Sequence, residues 1–174
     1  MILKNGMELI ISRTKKEDAR EIVEFLNIIG GESDNLTFGK NEFHMSVEDE
    51  EKYLEEVENS KTTAFFIGRI DGKIVCSCSL ISPKRERLAH QATLGISVKK
   101  EYWNMGIATE LMKVMIDFAK SNGQTEIIHL GVRADNHSAI HLYKKMGFEE
   151  IGRYKNFFKV NGEYFDDVLM NLYL

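Results

Sequence analysis

The apolar residues of this chain follow two rhythms. In one they form short β-branched or aromatic blocks bounded by Gly, Asn, Asp or Pro; in the other they return every three or four positions. The first predicts strands and the second amphipathic helices. Residues 8–13 read as a short strand. Thr14 follows as a helix N-cap with Glu17 three residues on, and Ala19, Ile22, Val23 and Leu26 mark a buried stripe that stops at Gly30-Gly31. Residues 32–44 mix acids with Leu36, Phe38 and Phe43 without a period, the texture of a binding loop or of a segment that plugs the core. Ser46 caps a second helix with Tyr53, Leu54 and Val57 inward. Strands at 62–70 and 73–81 flank Asp71-Gly72, a two-residue hairpin signal, and a charged turn at 83–87 leads to a strand at 90–98. A long helix begins near Asn104, repeats its apolar face at Ile107, Leu111, Val114 and Phe118, and closes at Gly123. The apolar run at 126–132 has the character of a strand buried on both faces. Because it follows a helix, it lies parallel to 90–98 through a right-handed crossover. Asn136 caps a last helix ending at Gly147, and strands at 149–160 and 163–173 meet at Asn161-Gly162. The fold class is mixed α/β: an antiparallel start, one parallel crossover, then a hairpin.

The segment from 94 to 119 is the one that points to chemistry. A strand, a tight polar turn and a helix start carrying only small side chains at Gly106 and Ala108 leave backbone N–H groups open. Those groups have no partner within a helix, and the macrodipole makes that end positive, which suits a phosphate or pyrophosphate. A P-loop would end in Gly-Lys-Ser/Thr, and a dinucleotide fingerprint would place a third small residue where Leu111 stands; both are excluded.

Composition narrows the classes further. The 174 residues are 43% apolar, enough for a globular core, and the net charge of −4 argues against a nucleic-acid partner. Cys76 and Cys78 share one face of a strand and read as small buried hydrophobes in a reducing compartment, with no metal framework. There is no signal-peptide pattern and no apolar run near ~18 residues, so the expectation is a cytoplasmic protein without a membrane partner, folded as one domain over 1–174.

Two segments together resemble the GNAT superfamily of acetyl-CoA-dependent N-acetyltransferases. The first is Ile96-Ser97-Val98 followed by Asn104-Met105-Gly106-Ile107-Ala108-Thr109; the second runs from Val132-Arg133 through Asn136, Ala139 and Leu142-Tyr143 to Gly147-Phe148. The subgroup it resembles most is that of bacterial ribosomal-protein and diamine acetyltransferases, which the tail from Asn161 to Leu172 also fits. The resemblance implies a mostly antiparallel, twisted sheet of about seven strands with a central splayed parallel pair and flanking helices. It implies acetyl-CoA as co-substrate, an amine of a small molecule or protein as acceptor, no metal, and pairing of C-terminal strands in a homodimer. It departs from the family at Trp103, where Gln or Arg is usual, and at Gly131, where some members carry a Glu general base.

Carried over residue by residue, the backbone of Ile96, Ser97 and Val98 lines the pantetheine arm. The N–H groups of Asn104, Met105, Gly106, Ile107, Ala108 and Thr109 hold the pyrophosphate. Asn136 contacts the cofactor or serves only as an N-cap, and Lys99, Lys100 and Lys145 either approach a 3′-phosphate or are simply solvated. Tyr143 is the acid that protonates the departing thiolate, since a phenol of pKa near 10 donates without ionising at rest; spacing alone also reads it as a core aromatic. Val98 N–H meets the developing oxyanion. Glu32, Asp34 and Glu42 are candidates for drawing in a cationic amine, and His129 is a candidate base; each also has an ordinary structural reading. The rival to an enzyme is a GNAT-like module that binds acyl-CoA without turnover, and retention of Tyr143 in register speaks against it.

Overall fold

A computed structural model describes residues 1–174. Seven strands form one sheet: β1 Ile10–Arg13, β2 Ala64–Ile70, β3 Lys73–Ile81, β4 Gln91–Val98, β5 Ile127–Arg133, β6 Glu149–Val160 and β7 Glu163–Tyr173. Their spatial order is β1-β2-β3-β4-β5-β7-β6, with β4 and β5 parallel and every other pair antiparallel. The two hairpin turns have the residues such turns require. Asp71-Gly72 and Asn161-Gly162 take positive φ at both positions, 48° and 77° in the first and 50° and 86° in the second. Paired left-handed residues of this kind match the twist of the flanking strands.

Four helices cover the sheet: α1 Ala19–Ile29, α2 Val47–Asn59, α3 Ile107–Ser121 and α4 His137–Lys145. Helices α3 and α4 lie on one face. There Leu111, Met112, Met115 and Tyr143 pack with Cys76, Cys78, Leu94, Ile128, Val168 and Met170 in the larger core. Helices α1 and α2 pack on the other face, where Ile22, Phe25, Ile29 and Leu54 meet Phe65, Ile67 and Ile74. This second layer stops at β3. Beyond it, Thr93 and Gly95 on β4 and Gly131 on β5 stay exposed, so half of that face is open.

The second helix starts as expected, with Ser46 Oγ accepting the Asp49 N–H at 3.1 Å. The first does not. Thr14 is buried and its hydroxyl donates to Phe65 O at 3.1 Å, joining β1 to β2, while Asp18 Oδ2 accepts the Lys15 N–H at 2.8 Å. A short 3-10 turn over Lys16–Asp18 precedes α1, and Glu17 forms no capping box. The free Asp18 oxygen takes Arg69 of β2 at 2.8 Å. The residue that starts the helix thus also docks it on the sheet.

The parallel pair governs the site. Registered pairing between β4 and β5 is confined to Gln91↔Ile127, Ala92↔Ile128 and Thr93↔His129. Past Thr93, β4 continues on β3 to Val98, and β5 continues on β7 to Arg133. Each strand follows its outer partner, and a wedge opens between them.

Candidate active site at the strand wedge

In an antiparallel ladder, hydrogen-bonded and non-bonded pairs alternate. Lys99 N–H donates to Val75 O at 2.9 Å, so the next pair, Cys76↔Val98, is of the non-bonded kind, and so is Cys78↔Ile96. The main-chain groups of Val98 and Ile96 therefore point away from β3, into the wedge. His90 O, of the same parity on this strand, accepts N–H groups of Glu126 and Ile127 where β5 is still in reach. Side chains alternate accordingly. Ile96 and Val98 pack into the larger core, while Ser97 lies on the opposite face with its Oγ 2.8 Å from Ser77 Oγ.

The turn after β4 completes the polar rim. Asn104 and Gly106 adopt left-handed backbone, φ 62° and 85°, and a Cβ at Gly106 would meet nothing within 4 Å. The two left-handed residues turn the chain sharply into α3. None of the N–H groups from Asn104 through Thr109 finds an acceptor in the protein; the first intrahelical bond is Glu110 N–H to Gly106 O at 3.3 Å. Six consecutive free donors lie at the positive end of a fifteen-residue helix, a basin whose charge suits an anion. Trp103 donates its indole N–H to Val98 O at 2.7 Å. It ties the end of β4 to the start of the basin, a function that no rule of sequence reading would assign to it.

Tyr143 is buried on α4, its ring 5.8 Å from that of Phe148, and its hydroxyl bonds to no other residue. Burial, with the nearby Cys78 thiol as a lesser cause, pushes its phenol well above the ordinary range, so it stays protonated at neutral pH. Asn136 Oδ1 accepts the Ala139 N–H at 3.2 Å, so the N-cap role holds and only its amide NH2 is left for other contacts.

The irregular segment between α1 and α2 braces the mouth of the wedge. Glu32 Oε2 accepts the Lys100 N–H at 2.7 Å, just past β4, and Asp34 O accepts from Arg133 Nη1 at 2.8 Å, at the end of β5. Arg133 is held by Asp135 at 2.7 and 3.0 Å and lies 4.3 Å from the centroid of Phe165. Glu32, Asp34, Lys100, Trp103 and Arg133 line a shallow pocket there. Glu42 stands apart: its carboxylate accepts the Gly39 N–H at 2.6 Å and shapes its own loop. Phe38 joins the smaller core and Phe43 stacks on it at 5.9 Å, so the loop plugs and braces at once.

On the open face, His129 Nδ1 is 2.8 Å from Asn171 Oδ1. The residue that sequence reasoning missed is Asp167 of β7. It is buried, and its Oδ1 has no hydrogen-bond partner. A signal was present in the absent side chain at Gly131, but nothing in the chain says which residue fills the space.

Residues 33–148 match the acetyltransferase (GNAT) family. The chain belongs to that family. An L-amino acid N-acetyltransferase of Escherichia coli, AaaT, is 39% identical over 101 residues, 58% of this chain and 62% of the relative. The chain thus spans less than two thirds of the length of that curated relative. Among solved structures, an acetyltransferase of the GNAT family from Streptococcus pneumoniae superposes with a TM-score of 0.94 at 28% identity, over 96% of this chain and all of the other. The Salmonella typhimurium protein yncA, solved with its cofactor acetyl-CoA, gives 0.82 at 16% identity over 95% and 94% of the two chains, which speaks for the fold. The seven-stranded mixed sheet with its single parallel pair is the GNAT sheet, and no helix is long and apolar enough to cross a membrane.

Proposed function

We propose that this protein is an acetyl-CoA-dependent N-acetyltransferase that moves an acetyl group directly to a primary amine of a small molecule. One observation carries the reading: six unpartnered N–H groups at the start of α3 follow on from the unpartnered main-chain groups of Ile96 and the free N–H of Val98, whose carbonyl is held by Trp103. The residues fit the group. A diphosphate takes the helix-start donors, and the amides of a pantetheine arm pair with β4 as an added strand would. Bound there, acetyl-CoA supplies a thioester whose carbonyl accepts an amine.

The protein's own groups divide the remaining work. Val98 N–H, free and facing the wedge, is placed to hold the carbonyl oxygen as it gains charge. Tyr143 keeps its proton at rest and gives it to the departing sulfur. The exposed carboxylate of Asp34 and the net charge of −4 favour a cationic amine at the mouth. The E. coli relative acts on L-amino acids, which sets free α-amines first among acceptors to try. The free, buried Cys76 and Cys78 support a cytoplasmic site of action. The exposed Ile151, Tyr154 and Phe157 of the edge strand β6 support a homodimer through the C-terminal hairpin.

The experiment is thiol release from acetyl-CoA with the standard L-amino acids, spermidine and N-terminal peptides as acceptors, paired with calorimetry of acetyl-CoA binding. Binding with amine-dependent thiol release supports the proposal. Binding with no release by any amine would leave an acyl-CoA sensor instead.

A further inference from the structure

Gly131 leaves a gap on the open face of β5, and the chain fills that gap from another strand. A Cβ built on Gly131 would overlap Asp167 Oδ2 and lie 2.9 Å from Oδ1 and 3.0 Å from Cγ. The Asp167 carboxyl therefore occupies the space of a residue-131 side chain, although it comes from β7. We propose that Asp167 is the general base of the transfer, accepting the proton of the incoming amine on the open face of the wedge. The inference rests on the acetyltransferase reading above.

Three observations meet here. First, Asp167 is 5% exposed and its Oδ1 has no partner, a costly arrangement that needs an explanation. Second, the access is clear of side chains. Extending the β4–β5 register from Thr93↔His129 by two residues sets Gly95 opposite Gly131, where the strands have parted, and both glycines are exposed. An acceptor can thus come through the face opposite α3 and α4, while Tyr143 acts from their side. Third, the carboxyl is tuned toward proton acceptance. Burial raises its pKa above the ordinary range, and the nearby His129 lowers it by less. The other groups facing it are Arg133, its register partner on β5, turned to Asp135, and Tyr154, its register partner on β6; Asp166 beside it accepts the Asn156 N–H.

The proton accounting closes. Asp167 takes one proton from R–NH3+ and later gives it to solvent. The freed lone pair forms the C–N bond as the C–S bond breaks. A second nitrogen proton leaves to solvent, and the sulfur takes the Tyr143 proton, which solvent replaces. The sum is ammonium plus thioester giving amide, thiol and one H+.

The test uses the full chain, acetyl-CoA and whichever panel amine turns over, across pH 5–9. Asp167→Asn is expected to lower kcat by about 100-fold or more and to remove the acidic limb of the profile. Acetyl-CoA affinity by calorimetry stays within about twofold, because the loss is in chemistry. The Gly131→Glu/Asp167→Gly double variant returns a carboxylate from β5 and is expected to regain at least about tenfold of the lost rate. Carbon-13 titration of the Asp167 carboxyl gives a readout free of turnover. Its midpoint is expected above the usual Asp value, and higher still in His129→Gln. Wild-type turnover with Asp167→Asn at near-native kcat and an unchanged profile overturns this inference alone, as does an ordinary Asp midpoint that His129→Gln does not move. Acetyl-CoA binding without turnover in the wild type overturns it together with the acetyltransferase reading.

Discussion

Glu50 is a buried carboxyl with nothing to offset its burial, and its replacement by a neutral isostere is expected to make the protein more stable. It sits in the first turns of α2, 1% exposed, with Oε1 unpartnered and no cation beside it. Burial alone pushes its pKa from 4.5 up to about 7. A carboxyl whose folded pKa lies above its unfolded value contributes its full stability below the unfolded value. That contribution is lost as pH rises through the folded one, here between pH 4.5 and about 7. A shift of this size costs about 3 kcal/mol at pH 8 and under about 1 kcal/mol at pH 5. Glu50→Gln has nearly the same shape and cannot ionise. At pH 8 it is expected to unfold about 6–12 °C above the wild type, with the gap closing steadily toward pH 5. Differential scanning fluorimetry at four pH values, backed by urea unfolding with an unchanged m-value, checks this. A difference that does not vary with pH, or a variant less stable at pH 8, would refute the reasoning.

Three further outcomes follow from the wedge and its brace. Tyr143→Phe removes a hydroxyl that bonds no other residue, so stability should stay within about 1 kcal/mol while kcat drops by about 10²–10⁴; thiol-release kinetics beside thermal melts separate the two. Gly106→Ala meets no atom within 4 Å but sits at φ 85°, so it should cost about 1–2 kcal/mol of backbone strain. By calorimetry it should weaken acetyl-CoA binding, as relaxation of the turn disperses the six donors. Gly30→Ala would drive a Cβ into Gly39 O at the hinge of the bracing loop. It should raise the KM for the amine more than that for acetyl-CoA, because the loop carries Glu32 and Asp34.

What could be read from the chain was what local chemistry decides. Paired Asp-Gly and Asn-Gly turns set the hairpins, and glycines closed the helices at 123 and 147. The row of free N–H groups at the start of α3 was legible because its ingredients are contiguous: a strand end, small residues and a helix start. The miss at Thr14 shows the limit. Thr14 and Asp18 both have oxygens able to cap, and the choice fell to tertiary pairing, since Thr14 was needed by Phe65 across the sheet. The bracing of the wedge by Glu32 and Arg133 joins residues 68 and 99 positions from their partners. Asp167 was hidden for the same reason. Its part depends on the register of β7 against β5, which no local pattern encodes.

Why the wedge stays open in this chain follows from the same bonds. Two parallel strands that part leave main-chain groups unpaired, and sheets ordinarily close such gaps. Here closure is opposed on both sides. β4 is held on β3 as far as Lys99 N–H, and β5 on β7 as far as Ala134 N–H, which donates to Asp166 O at 2.9 Å. Glu32 and Asp34 then fix the separation from the loop, one gripping the β4 end and the other the β5 end. The free groups are presented at a fixed spacing, so an incoming strand-like chain of amides finds its partners already ordered and loses less entropy on binding. Under the proposed function, main-chain donors would serve the acyl donor whatever side chains β4 carries. Recognition of the amine would then fall to side chains on the open face. On that face Gly131 is bare and the Asp167 carboxyl fills its place, so under the proposed function acceptor choice and proton removal should change with substitutions there while affinity for acetyl-CoA does not.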